Sequence, residues 1–210
     1  MLQKYKHVIW DWNGTLFNDA ELCVDIINGI LIKRSLPALS LQKYREIFTF
    51  PVEEYYKKAG LDFEKFPFKE LGREWMDEYE RRKNEIDLFD DAEKVLNYVS
   101  NLKIGQSILS AYSQKSLKDI VRKFKLNSYF SNMVGLDHIY ATSKVELGIE
   151  LMNKLGNGRG ETLLIGDTLH DFETASEIGA DCILISSGHQ SREKLEQSGV
   201  NVLGSLGELI

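Results

Sequence analysis

The sequence predicts an α/β protein: a doubly wound parallel sheet with an all-helical unit inserted after the first strand. Three observations carry this. From about residue 90 onward short apolar runs alternate with amphipathic helical patterns, the rhythm of strands covered on both faces by crossover helices. Between the first apolar run and that alternation, residues 17–88 show helical spacing and no strand pattern, and all three prolines of the chain fall there, at 37, 51 and 67. Finally, polar residues stand at the carboxyl ends of separate apolar runs, where open parallel sheets hold their ligands.

Taken in order, Val8-Ile9-Trp10 is the first strand, and it delivers Asp11 into the turn Trp12-Asn13-Gly14-Thr15. Leu22, Ile26, Ile27, Ile30 and Leu31 then recur on one helical face, with Asn18 or Asp19 placed to cap its start. A second helix carries Leu71, Trp75 and Tyr79, within the charged stretch from Glu64 to Glu85. After Asp90 come a helix with Val95, Leu96 and Val99, the strand Gly105 to Ser110, and a helix with Leu117, Ile120, Val121 and Phe124. There follow a short strand near Met133-Val134, a helix with Val145, Ile149, Met152 and Leu155, the strand Thr162 to Ile165, and a last strand from Asp181 to Ser186. The expected organisation is a Rossmann-like core from residues 1–16 and 89–210 with a helical cap at 17–88.

Composition narrows the partners. A chain of 210 residues that is 43% hydrophobic can bury one good core plus a smaller unit. Its 32 acidic against 26 basic residues give a net charge of -6, which argues against a broad nucleic-acid surface. No run of about 18 apolar residues is present and the amino terminus has no apolar signal segment, so neither a membrane nor export is expected. Cys23 and Cys182 are isolated, without metal-ligand or redox spacing, which suits a reducing cytoplasm. Nothing requires more than a monomer or a weak dimer.

Four polar positions form a constellation: Asp11 after strand one, Ser110 at the end of strand two, Lys144 at or just before the start of a helix, and Asp167 in the loop Gly166-Asp167-Thr168-Leu169-His170-Asp171. In order and context these resemble the four signatures of the haloacid dehalogenase superfamily. The segments Tyr44-Arg45-Glu46-Ile47-Phe48-Thr49-Phe50-Pro51 and Gly188-His189-Gln190-Ser191 look like its phosphoglycolate-phosphatase-like branch. The resemblance implies a Mg²⁺-dependent phosphatase acting on a small phosphorylated metabolite. Asp11 would attack phosphorus and form an aspartyl-phosphate. Mg²⁺ would be held by Asp11, the backbone carbonyl of Asn13 and Asp167, with Asp171 in its outer shell, orienting Lys144 or capping the following helix. Ser110 and backbone amides such as that of Ala111 would bind phosphoryl oxygens, Lys144 would neutralise charge, and Arg45 is a candidate for reaching substrate from the cap.

One residue departs from the phosphatase pattern. Those enzymes carry an acid and base two positions after the nucleophile, and this chain has Asn13, which gives up no proton. General acid-base assistance is worth ~10²–10⁴-fold, so slow hydrolysis of poor leaving groups is expected, with acyl, anhydride and aryl phosphates less affected. The amide could still orient a leaving oxygen or a water, and His138 and His170 are other proton candidates. The alternative reading is a phosphate-binding or regulatory protein with little turnover, in which Asn13→Asp would create activity. Trp10 and Trp12 are read as packing rather than substrate stacking.

Overall fold

The computed structural model describes residues 2–136 and 144–210; His138 lies outside the described residues. Six parallel strands form one sheet: β1 (His7–Trp10), β2 (Gly105–Ser113), β3 (Asn132–Leu136), β4 (Thr162–Gly166), β5 (Asp181–Ile185) and β6 (Asn201–Leu203), in the order β3-β2-β1-β4-β5-β6. Strand β1 is central, with His7 opposite Gly105 on one side and Thr162 on the other, and Trp10 opposite Ile108 and Ile165. Strand order reverses direction around β1, so the chain's first strand end faces the crevice where open sheets bind ligands.

The period of two along β1 sorts its side chains to opposite layers. Val8 and Trp10 join the cluster that includes Val95, Leu96 and Val99 of α5 (Ala92–Asn101) and Leu117, Ile120 and Val121 of α6 (Gln114–Lys123). Ile9 faces the other way, with Leu151 of α7 (Lys144–Leu155) and Ala175 and Ile178 of α8 (Leu169–Ile178). Between β1 and β2 the chain forms α1 (Ala20–Ile32), α2 (Leu41–Ile47), α3 (Val52–Lys58) and α4 (Phe68–Arg82) without a strand. Helix α1 packs on α2 and α4, and Phe17 bridges Leu88, so the segment's entry and exit meet. No helix among the described residues is long and apolar enough to cross a membrane.

Three local expectations are corrected. The sheet does not stop at β5: Asn201–Leu203 adds a sixth strand, paired from Ile183 opposite Asn201 to Ile185 opposite Leu203. Strand β2 continues past Ser110 to Ser113, but its ladder with β3 loses register after Leu109, so Ser110 sits at an irregularity rather than a terminus. Asp19 occupies the N-cap position of α1, yet its side chain makes no capping hydrogen bond, because stronger donors, described below, claim it.

His7 opens β1 with its Nε2 2.9 Å from the Ser107 hydroxyl, and its ring fills the space a Cβ at Gly105 would need. Burial lowers its pKa from 6.5 to about 4. The unfolded chain therefore takes up a proton on His7 that the folded chain refuses. Its contribution to stability is full above pH 6.5 and declines as pH falls from 6.5 towards 4. Urea unfolding across that range should show a shallower loss of stability in His7→Gln than in wild type.

Candidate active site

The turn after β1 is set by close approach. Asp11 N–H donates to the Ile165 carbonyl at 2.8 Å, which carries the chain one residue past the ladder, and Leu16 and Phe17 fold back to donate to the Trp12 carbonyl. Gly14 has φ of 75° and packs so tightly on the Asp167 carboxylate that a Cβ would collide with it. Thr15 Oγ1 lies 3.3 Å from Asp167 Oδ1. Trp10 is buried and donates to Gln106, while Trp12 is buried and stacks on Phe17; neither ring lines an opening.

Lys144, the first residue of α7, joins two carboxylates: its Nζ lies 2.5 Å from Asp11 Oδ1 and 2.5 Å from Asp171 Oδ1. All three residues are buried. Asp171 Oδ2 accepts from the backbone of Asp167 and Thr168 and from the Thr168 hydroxyl. It thus orients Lys144 and caps the start of α8 at once, with both of its oxygens bound to protein donors. Asp167 Oδ2 accepts the backbone N–H of His189 at 2.6 Å.

Carboxylate oxygens of Asp11, Asp167 and Asp171 lie within 4.8 Å of one another. Burial raises the pKa of Asp11 to about 8, opposed by Lys144 and reinforced by the neighbouring Asp171 and Asp167. Burial likewise lifts Asp167 to about 6. Burial works against the charge of Lys144, but Asp11 and Asp171 hold its pKa above the usual lysine value. Among the described residues no side chain donates to Asp11 Oδ2. An all-oxygen set with surplus negative charge is the chemistry a hard divalent cation fits.

Ser110 is two residues beyond Ile108, the partner of Trp10. Its Oγ accepts the Tyr112 N–H at 3.1 Å, which leaves the hydroxyl hydrogen to donate elsewhere. Ala111 beside it is exposed. Arg45 departs from its expected role. Its guanidinium donates to the carbonyls of Ser187 (2.5 Å) and Gly188 (2.8 Å), tying α2 to the loop after β5 instead of reaching into the site. The His170 ring lies tilted against Phe50, with centroids 4.8 Å apart.

The structure joins Asp19, Tyr79 and His189, which the sequence places separately, into one network. Asp19 accepts from the Gly14 N–H (2.9 Å), Asn13 Nδ2 (2.7 Å), the Tyr79 hydroxyl (2.6 Å) and His189 Nε2 (3.2 Å), and more weakly from the Cys23 thiol (3.8 Å). Asp19 is buried, but His189 and these hydrogen bonds hold its pKa below the usual carboxylate value. His189 is buried too, and Asp19 raises its pKa to about 9; its other ring nitrogen lies 2.8 Å from the Tyr44 hydroxyl. An acidic residue before a helix reads as a cap and a tyrosine on a periodic face reads as core, so only the fold shows that they meet.

Residues 8–185 match the family model for haloacid dehalogenase-like hydrolases. Over 89 residues the chain is 28% identical to the probable phosphatase IndB of Dickeya dadantii; the match spans 42% of this chain and 39% of that relative. Two solved structures are similar over nearly the whole length. A haloacid dehalogenase-like family hydrolase from Streptococcus pneumoniae has a TM-score of 0.82 at 17% identity, covering 98% of this chain and 97% of that one. A predicted phosphoglycolate phosphatase from Haemophilus somnus has a TM-score of 0.78 at 19% identity, covering 98% and 96%. At those identities the likeness concerns the fold.

Proposed function

The chain belongs to the haloacid dehalogenase-like hydrolase family, and from that premise we propose that it is a Mg²⁺-dependent phosphatase that hydrolyses a small phosphorylated metabolite through an aspartyl-phosphate on Asp11. The observation that carries this is the buried bridge from Lys144 to Asp11 and Asp171, with Asp167 alongside. A carboxylate held this way has one oxygen neutralised and the other available to attack phosphorus. Residues 17–88 are proposed as the cap over this site, which lies at the carboxyl end of the sheet.

Asp11, Asp167 and the Asn13 carbonyl would hold the ion, with Asp171 orienting from behind. When bound, Mg²⁺ would offset the repulsion between these carboxylates and the incoming phosphate. Lys144 balances charge shared by Asp11 and the phosphoryl group, while the Ser110 hydroxyl and the Ala111 N–H donate to its oxygens. Attack by Asp11 forms the Asp–O–P bond and breaks the bond to the leaving oxygen, which departs with the electron pair. Water then attacks phosphorus, its protons end on inorganic phosphate, and Asp11 is restored. Because Asn13 supplies no proton, alkyl phosphates are expected to turn over ~10²–10⁴-fold more slowly than they would with an acid there.

The test is phosphate release from a panel of phosphomonoesters and acyl phosphates, with Mg²⁺ and with a chelator, for wild type and Asp11→Asn. Release that needs Mg²⁺ and disappears in Asp11→Asn is expected. Equal release by Asp11→Asn would overturn the mechanism, and phosphate binding without release would leave a binding protein instead.

A further inference from the structure

The amide of Asn13 has its donors committed. Nδ2 lies 2.7 Å from Asp19 Oδ2 and 2.6 Å from the Tyr79 hydroxyl, so the donor end of the amide faces this buried pair. Which end of the amide faces Asp19 is fixed by chemistry, since an ionised carboxylate only accepts. The Tyr79 hydroxyl in turn donates to Asp19 at 2.6 Å, so it accepts from Asn13. Asp19 and Tyr79 are both buried, whereas Asn13 is half-buried. What Asn13 can still offer is Oδ1, an acceptor.

We propose that Asp19 and Tyr79 lock Asn13 as an acceptor-only group, so that this site takes phosphorylated substrates whose leaving group departs without a proton: acyl phosphates, phosphoanhydrides or aryl phosphates. The proposal rests on the phosphatase reading and adds to it the contacts that hold Asn13 to this substrate class. In the first half-reaction the leaving oxygen would need a hydrogen-bond or proton donor at position 13 if it were an alkoxide; the donor end of the amide there is turned to the buried network. A carboxylate or phenolate leaving group carries the electron pair away unaided. In the second half-reaction Oδ1 can accept an O–H of the attacking water, which requires an acceptor only. The lock spans two parts of the chain, because Tyr79 lies on α4 and Asp19 at the start of α1. Asp19 and Tyr79 are thus positioning residues that act through Asn13.

The same geometry changes what an acid at position 13 would do. Asn13→Asp alone would set a second carboxylate against Asp19 at the distance of the present hydrogen bond, whereas exchanging the two side chains, Asn13→Asp with Asp19→Asn, keeps one carboxylate and one amide beside His189.

The experiment compares kcat/KM for acetyl phosphate, 4-nitrophenyl phosphate, phenyl phosphate and glycerol phosphate at saturating Mg²⁺, in wild type, the exchanged double variant and Asp11→Asn, with thermal melts confirming that each is folded. Wild type is expected to favour the acyl and nitrophenyl substrates over glycerol phosphate by ~10²-fold or more, and the exchange should narrow that gap by ~10²–10⁴-fold. Wild-type rates indifferent to the leaving group, or an unchanged gap in the folded double variant, would overturn the proposal while leaving the phosphatase standing. No Asp11-dependent release from any of the four would remove the phosphatase reading and this proposal with it.

Discussion

Lys144→Met is expected to lower the free energy of unfolding by about 3–5 kcal/mol, the cost of stripping a buried ion pair of one partner. Lys144 is the shared cation of Asp11 and Asp171, and its side chain is 3% exposed against 9% and 2% for theirs, so water cannot take its place. Methionine keeps much of the volume, and the loss should therefore report charge rather than a cavity. Urea unfolding measures it. A divalent cation bound to the same carboxylates would stabilise the folded form by mass action, so Mg²⁺ should recover part of the loss. A loss under about 1 kcal/mol would place the pair with ordinary solvated surface bridges.

Asp19→Ala is the second large effect, again about 3–5 kcal/mol, since His189 would be left as a buried cation without its partner. The Gly14 N–H, the Asn13 amide and the Tyr79 hydroxyl would lose their acceptor as well. Asp19→Asn, which keeps one acceptor oxygen, should fall between wild type and Asp19→Ala in denaturation midpoint. Tyr79→Phe deletes one donor to Asp19 and one acceptor for Asn13 and should cost less than either. If Asp19→Ala melts like wild type, the arrangement of donors around Asp19 carries no stability.

What the sequence disclosed follows from how each residue is placed. Asp11 and Asp167 each follow an apolar run, and Lys144 opens an amphipathic helix, so period and position point to them before any fold is known. Local pattern also separates the helical stretch before β2 from the alternating strands and helices after it. The Asp19 network left no such trace. Its distant partners lie 60 residues (Tyr79) and 170 residues (His189) away, the first reading as core on a helix face and the second as part of the Gly188-His189-Gln190-Ser191 segment, with nothing local to join them. The contacts of Arg45 are hidden for a related reason: an arginine on a short helix can satisfy itself on backbone carbonyls, and those of Ser187 and Gly188 come within reach only once the chain has folded. Strand β6 is not legible in the sequence because three residues are too few to display an alternation.

The shared register of β1 with both neighbours makes its length a tolerance of the machine. His7 to Trp10 are buried on both faces and paired on both edges. Adding or deleting one residue there would shift Asp11 by roughly 3.3 Å and turn every side chain of the strand to the opposite layer. A residue added between α1 and α2 would break no ladder and turn no strand, although the Asn28 amide ties down Leu39 there. A change of length is thus felt locally in the stretch that leads away from the nucleophile, but across the whole sheet in the four residues that carry the chain to it.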